Sequence, residues 1–417
     1  MQDGHFLPSG EGPMKKGKEE RIMKRFWQIA CICSLVLVFA FSAYGAGEPI
    51  KVGFPMILSG GGALFGKPSS VGAEMYVKEL NARGGVLGRP IELIIRDCGN
   101  TPEEATRVAR EIILKEKVDF MVGGLTASQG LALSEVAKTE KVVYIAPISK
   151  STAMTEPGKL HPYVFRAAAN TNTEGRSAAV FMAKNPWTRI ATLGPDYEYG
   201  QMVTKAFVEW MKKIKPQAQI VHQGWPKLGE TDYTPFIAPL LAAKPDAAFL
   251  SLWGGHFVTF SKQAKPYGFF EKVKVVAAGE GGSPETGMSL KDDLPLGITT
   301  NAYDVFYYPD TPEHKSYVER LKAYTKQEYP PSWAITGYIA VQFLAEAIQK
   351  AQSTDKMKVI KALEGLTINT PIGKQTMRAK DHQATRGQVW GTTAKVPEYP
   401  FPILRPVEYI PADDLMD

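Results

Sequence analysis

Ile91-Glu-Leu-Ile-Ile-Arg-Asp97, a helical stretch from Pro102 to Lys117 opened by Thr101-Pro-Glu-Glu104, and then Phe120-Met-Val-Gly123 form the segment on which the fold turns. The two short β-branched and aromatic runs read as strands. Between them Thr101 offers an N-cap oxygen, and Pro102 suits a first helical turn because its missing N–H would have no partner there. Glu104 closes a capping box. Strand, helix, strand in this order predicts parallel pairing with a helix laid over the sheet.

The same alternation extends in both directions, through Ile50 to Pro55, Val142 to Ala146, Arg189 to Gly194, Ala247 to Leu252 and Val273 to Ala278. It breaks at Arg166 to Asn172 and again at Thr299 to Tyr303, polar or small stretches that read as hinges between two α/β lobes. A ligand of such a body sits between the lobes, at the carboxyl ends of the strands. The Pro-rich stretch from Val396 to Pro411 reads as an irregular closing segment.

Ahead of the first strand a basic run (Lys15, Lys16, Lys18, Arg21, Lys24, Arg25) meets an uncharged apolar block from Phe26 to Phe41, which ends in the small residues Ala43, Gly45 and Ala46. These are the parts of a cleaved signal peptide, with the exit after Ala46 or Gly45, and they predict a periplasmic or other extracytoplasmic mature chain. A permanent amino-terminal anchor is the alternative, although the block falls short of the roughly 20 residues that span a bilayer. Cys31 and Cys33 lie inside the block rather than at its end, which argues against lipid attachment. Met14 and Met23 are alternative starts.

Of 417 residues, those after the leader are too many for one ordinary core and suit two domains. The net charge of +6 is modest and partly due to the leader, so no nucleic-acid partner is expected. Cys98 is the one cysteine after the leader, which rules out an intrachain disulfide and a cysteine metal cluster in the mature chain. His161, His222, His256, His314 and His382 are scattered without metal-ligand spacing. Gly61 to Pro68 imitates a phosphate loop until Pro68 stands where a Mg²⁺-binding hydroxyl is needed. Neither a Gly-x-Ser-x-Gly elbow nor His-Glu-x-x-His occurs. The expectation is a binding protein, with no catalytic residue, no metal and no cofactor.

A resemblance then covers nearly the whole mature chain. Its parts are Lys51-Val-Gly-Phe-Pro-Met-Ile-Leu-Ser-Gly60, Phe65-Gly66, Gly72-Ala-Glu74, Asn81-Ala-Arg-Gly-Gly85-Val-Leu-Gly88, Gly123-Gly-Leu-Thr-Ala-Ser128, Ile145-Ala-Pro147, Tyr199-Gly200, Gly279-Glu-Gly281, Tyr338-Ile-Ala-Val-Gln342 and Asp381-His-Gln383. In order and spacing they resemble the Leu/Ile/Val-binding family of type I periplasmic binding proteins, the solute receptors of ABC importers. The resemblance implies two doubly wound parallel-sheet lobes joined by three crossovers. Lobe 1 would comprise 47–168 plus 303–369, and lobe 2 would comprise 169–302 plus 370–417.

By the same resemblance, the turns Thr126-Ala127-Ser128 and Ile148-Ser149-Lys150 would hold a ligand carboxylate on backbone amides and hydroxyls. Ala127 stands where the family has serine, and Lys150 where it has a small hydroxyl residue. Lys150 either faces water or adds an ionic contact, and in the second case the ligand carries a second acidic group or lacks an amino group. Glu280 matches the family's ammonium-binding acid and Tyr199 a tyrosine of the same pocket, while His256 replaces a tyrosine. Phe65 and Trp333 match pocket aromatics, with Trp253 as a further candidate.

What the resemblance implies is a monomeric, non-enzymatic receptor that binds a branched-chain or aromatic amino acid between its lobes and delivers it to an ABC permease. The same fold binding an aromatic or aliphatic carboxylate, an amide or urea is the alternative. A ligand-sensing subunit that signals to a membrane receptor is the alternative of another class.

Overall fold

A computed structural model of the chain describes residues 4, 5 and 47–416. The leader expected at residues 1–46 lies, apart from residues 4 and 5, outside the described residues. The chain divides into Met1–Glu48 and Pro49–Asp417, and the architecture below is that of the second unit.

The first lobe is built from β1 (Ile50–Met56), α1 (Ala63–Ala82), β2 (Ile91–Asp97), α2 (Pro102–Leu114), β3 (Phe120–Val122), α3 (Ala127–Glu140), β4 (Val143–Ala146) and β5 (Val164–Arg166). Its sheet is parallel throughout, in the order β2-β1-β3-β4-β5. β3 and β4 are buried along their whole length, as central strands covered on both faces must be. The capping box read at Thr101 is present: Thr101 Oγ1 accepts from Glu104 N at 3.2 Å and Pro102 opens α2.

The chain crosses over after Arg166 and enters the second lobe with α4 (Thr171–Ala183). There follow β6 (Arg189–Leu193), α5 (Glu198–Ile214), β7 (Gln219–Gly224), α6 (Thr234–Ala242), β8 (Ala247–Leu250), α7 (Gly255–Ala264), α8 (Phe269–Lys272), β9 (Lys274–Ala277), α9 (Pro284–Leu290) and β10 (Thr299–Ala302). It then returns to the first lobe with α10 (Pro312–Thr325) and α11 (Ala334–Ala351), which pack on α1, and α12 (Lys356–Leu363), which packs on α11. The hairpin β11 (Thr367–Thr370) with β12 (Gly373–Thr376) comes before β13 (Gln388–Ala394) and β14 (Ile403–Ile410). These last two strands complete the second sheet, in the order β14-β13-β10-β9-β8-β6-β7.

α1 and α11 approach unusually closely. A Cβ on Gly72 would lie 1.7 Å from Ala334 O, and one on Gly337 would lie 2.0 Å from Ser69 O, so only glycine fits at either position.

Three expectations are corrected. Thr299 to Tyr303 is not an interruption, because Thr299–Ala302 is strand β10 and the crossover begins at Tyr303. The stretch Val396 to Pro411 is not irregular: Ile403–Ile410 forms the antiparallel edge strand β14 on β13, where a proline loses no ladder hydrogen bond on its outward side. The last crossover falls later than residue 369. Arg166 N donates to His382 O and Ala384 N to Arg166 O, so the chain stays beside β5 of the first lobe until shortly before Gln388.

Candidate functional site

The amino terminus of α3 faces the space between the lobes. Thr126 caps it, accepting from Gln129 N at 3.2 Å, while Gln129 Oε1 accepts from Thr126 N. Gln129 is itself fixed by donating to Gly99 O at 2.9 Å. The first-turn N–H groups of Ala127 and Ser128 have no intrahelical acceptor and carry the positive end of the helix dipole, which suits a carboxylate.

After β4 the chain turns through Ile148, Ser149 and Lys150. Ser149 Oγ donates to Thr126 O at 2.9 Å and so ties the two turns together. Lys150 does not face water: it is 5% exposed and reaches across to the second lobe. Its Nζ donates to Glu174 Oε1 at 2.8 Å and to Glu280 Oε1, and it lies 4.9 Å from the ring centre of Tyr303. Burial works against the ammonium charge, but Glu174 and Glu280 outweigh it and hold Lys150 protonated beyond its ordinary range.

Glu280 sits on the turn after β9 with φ +60°, a left-handed conformation uncommon for any residue but glycine. Its N–H donates to Asn301 Oδ1 at 2.8 Å, and Asn301 Nδ2 returns a contact to Glu280 Oε1 at 3.3 Å. Burial raises the Glu280 carboxyl, against the opposing pull of Lys150. Glu174, on the first turn of α4, also accepts from Gly279 N at 3.1 Å and from Asn301 Nδ2 at 3.1 Å. Two carboxylates and one ammonium thus meet where the lobes touch.

The apolar wall is aromatic. Phe65, near the start of α1, stacks on Trp333 with ring centres 3.9 Å apart, and Trp253 lies 6.2 Å away on the other lobe. Gly254, with φ +51°, keeps the turn after β8 close to Phe65: a Cβ there would stand 3.1 Å from that ring. Trp333 is held by the second lobe, since Glu285 Oε1 accepts from Trp333 N at 3.0 Å and Glu285 Oε2 from Ser332 Oγ at 2.8 Å. Among the described residues no cation pairs with Glu285, and burial pushes its carboxyl up to about 7.

One cavity brings together Phe65, Thr126, Ala127, Ile148 and Lys150 of the first lobe with Tyr199, Trp253 and Glu280 of the second; Trp333 also lines it. The space is about 30 Å³, room for about two waters, so an organic solute enters only as the lobes part. Ser128, Ser149 and His256 are not among its lining residues. Ser128 Oγ lies 3.4 Å from Thr126 Oγ1, and Ser149 serves the turn. His256 is engaged elsewhere in its own lobe, with Nδ1 2.8 Å from Tyr233 Oη and Nε2 accepting from Gly229 N.

Leu125 and Tyr197 line the cavity without having been singled out in the sequence, and Glu174 and Asn301 brace it from behind. An acid on the first turn of a helix reads in sequence as a dipole complement. Nothing local marks Glu174 as a partner for Lys150. Among the described residues no group of three or more side chains is placed to hold a metal ion, and no helix is long and apolar enough to cross a membrane.

Comparison with known proteins agrees with this architecture. Residues 49–394 match the model of the family described as periplasmic binding protein. The chain is 25% identical over 346 residues to the Leu/Ile/Val-binding protein of Escherichia coli (strain K12), an alignment covering 82% of this chain and 90% of that one. It is 26% identical over 365 residues to the leucine-, isoleucine-, valine-, threonine- and alanine-binding protein of Pseudomonas aeruginosa, covering 86% and 92%. The solute-binding protein of an ABC transporter from Rhodopseudomonas palustris BisB5, solved in complex with 3,4-dihydroxybenzoic acid, superposes with a TM-score of 0.77 at 25% identity, covering 87% of this chain and 97% of that one. The chain belongs to the periplasmic binding protein family, with the type I arrangement of two α/β lobes.

Proposed function

We propose that this chain is the extracytoplasmic solute receptor of an ABC importer, and that it encloses a small organic acid with an apolar or aromatic body between its lobes. The observation that carries the reading is the capped amino terminus of α3 opening onto an aromatic-walled cavity at the lobe junction. The helix end suits a carboxylate, and Phe65, Trp253 and Trp333 suit the body. Closure on the solute would follow from population shift, because a ligand touching both lobes stabilises their closed arrangement, which a membrane permease then recognises. The reading assigns no reaction to the site, a monomer as the working form, and no cofactor.

An amino acid, branched-chain or aromatic, is the first reading: two curated relatives are named for branched-chain amino acids, and the ring-lined wall would suit an aromatic one. Glu280 would then take the α-ammonium group. An aromatic or aliphatic acid without an amine is the second reading, favoured by the Lys150 ammonium already lying on Glu280, and a structural neighbour was solved with such an acid. The test is a panel of amino acids, aromatic acids, short carboxylates and amides, offered to chain that has been unfolded and refolded to remove carried-over solute. A ligand at about 100 times its Kd stabilises the folded state by about 2.7 kcal/mol, a clear rise in Tm. Glu280→Gln separates the two readings in the same assay: an amino-acid receptor loses most of its affinity, whereas a receptor for amine-free acids retains it.

A further inference from the structure

We propose that Lys150 determines specificity by filling the ammonium position of the cleft with the chain's own ammonium, so that the solute is a carboxylate without an α-amino group. The inference rests on the small-acid reading of this cavity and narrows it.

Glu280 is the acidic side chain lining the cavity, and its Oε1 already receives Lys150 Nζ and Asn301 Nδ2. Glu174 Oε1, behind it, receives Lys150 Nζ, Gly279 N and Asn301 Nδ2. A solute ammonium would have to share Glu280 with Lys150 at close range, and like charges so placed repel strongly in a site this buried. Lys150 already bridges both carboxylates, and burial opposes the charge of Glu280 against the pull of Lys150, so the cluster has little to offer a second cation.

Trp333 carries a buried indole N–H with no hydrogen-bond partner, and an indole N–H only donates, while the Trp253 indole N–H lies against the Tyr197 hydroxyl. Together with the first-turn N–H groups of α3, the Trp333 N–H makes a surface for carboxylate and other acceptor oxygens. Lys150 therefore acts in two directions: it satisfies the lobe-bridging carboxylates, and it rejects solutes that bring their own ammonium.

The experiment uses the refolded, solute-free chain and calorimetric titration with pairs that differ only in the amine: phenylalanine against 3-phenylpropanoate, and leucine against 4-methylpentanoate, with 4-hydroxybenzoate as an aromatic probe. The amine-free member is expected to bind at least about 100-fold more tightly in whichever pair fits the cavity, or 4-hydroxybenzoate alone to bind. Lys150→Met, which keeps the length and removes the charge, should shrink or invert that preference. Tighter binding of the amino acid by the natural chain would overturn the proposal, as would a preference that Lys150→Met leaves unchanged. Should Lys150→Met fail to fold, the uncharged Lys150→Gln takes its place, and the preference of the natural chain decides alone if both fail. If no compound of either kind binds, the small-acid reading of the cavity falls, and this inference falls with it for that separate reason.

Discussion

Lys150 shows how far one side chain can change a site whose backbone is ordinary for its fold. A lysine in a loop most often keeps its charge in water, yet here the ammonium is taken out of solvent and bound to two carboxylates of the facing lobe. Such a cluster holds only while its charges and hydrogen bonds remain matched. Glu174 is fully buried and supplies the acceptor for Lys150, Gly279 N and Asn301 Nδ2 together. Glu174→Gln is expected to cost about 3 kcal/mol of stability, because it leaves Lys150 with the partner whose ionisation burial opposes. Denaturant titration at neutral pH measures it, and an unchanged midpoint would show that the pair contributes nothing. Glu280, held at φ +60° by its contacts with Asn301, carries the strain that sites of this kind concentrate.

At the scale of elements, two kinds of local rule position the cleft. Helix caps aim α2 and α3, and glycines set how closely helices meet. Gly72→Ala would push a methyl group into the Ala334 carbonyl, at the turn from which Trp333 reaches the cavity. The expected loss is about 3 kcal/mol or more, with weaker solute binding, since the overpacked helices cannot separate without moving Trp333. Asp355→Ala is the control, at the cap of α12 beyond the end of α11 opposite Trp333, where Asp355 Oδ1 accepts from Lys358 N at 3.0 Å. Loss of that cap should cost about 1 kcal/mol and leave solute affinity as it was. If both variants affected binding equally, the coupling between helix approach and the aromatic wall would be wrong.

At the scale of the whole molecule, the lobes meet through carboxyl groups of the second. Glu280 takes Lys150, Glu198 takes Ser151 Oγ, and Glu285 takes Ser332 Oγ and Trp333 N. Glu285 makes the clearest pH prediction, because no cation among the described residues pairs with it. Its carboxyl stands at about 7 where the lobes touch, and it returns to the ordinary carboxylate range when they part and water reaches it. The closed form therefore binds more protons than the open form between about 4.5 and about 7. Closure weakens as pH rises through that window and levels off above it, by at most about tenfold per pH unit for one proton. Asp304 lies near enough to contribute to the upward shift of Glu285, and His314 is paired with Asp304 at 2.9 Å; burial opposes the imidazolium charge, but the hydrogen bond and charge of Asp304 outweigh it and hold His314 above its ordinary value. Glu285→Gln isolates the effect: solute affinity measured across the window should flatten in the variant, and a slope equal to that of the natural chain would refute the assignment.

What the amino-acid sequence determined by itself was everything carried by neighbours along the chain. The capping residues Thr101 and Glu104, the β-branched runs and the helix-opening turn at Thr126 act within a few positions of one another, and they sufficed for the α/β class, while the family and most of the residues that wall the cavity followed from the resemblance of the ordered motifs to a known family. Tertiary structure alone decided what depends on partners far away in the chain. Lys150 meets Glu280 across 130 positions, His256 turns to Tyr233 rather than to the cleft, and β14 becomes a strand because β13 offers it an open edge. Propensity weighs each residue against its neighbours, whereas these outcomes depend on which buried charge, ring or backbone edge the fold brings opposite; a lysine reads the same in sequence whether water or two carboxylates await it.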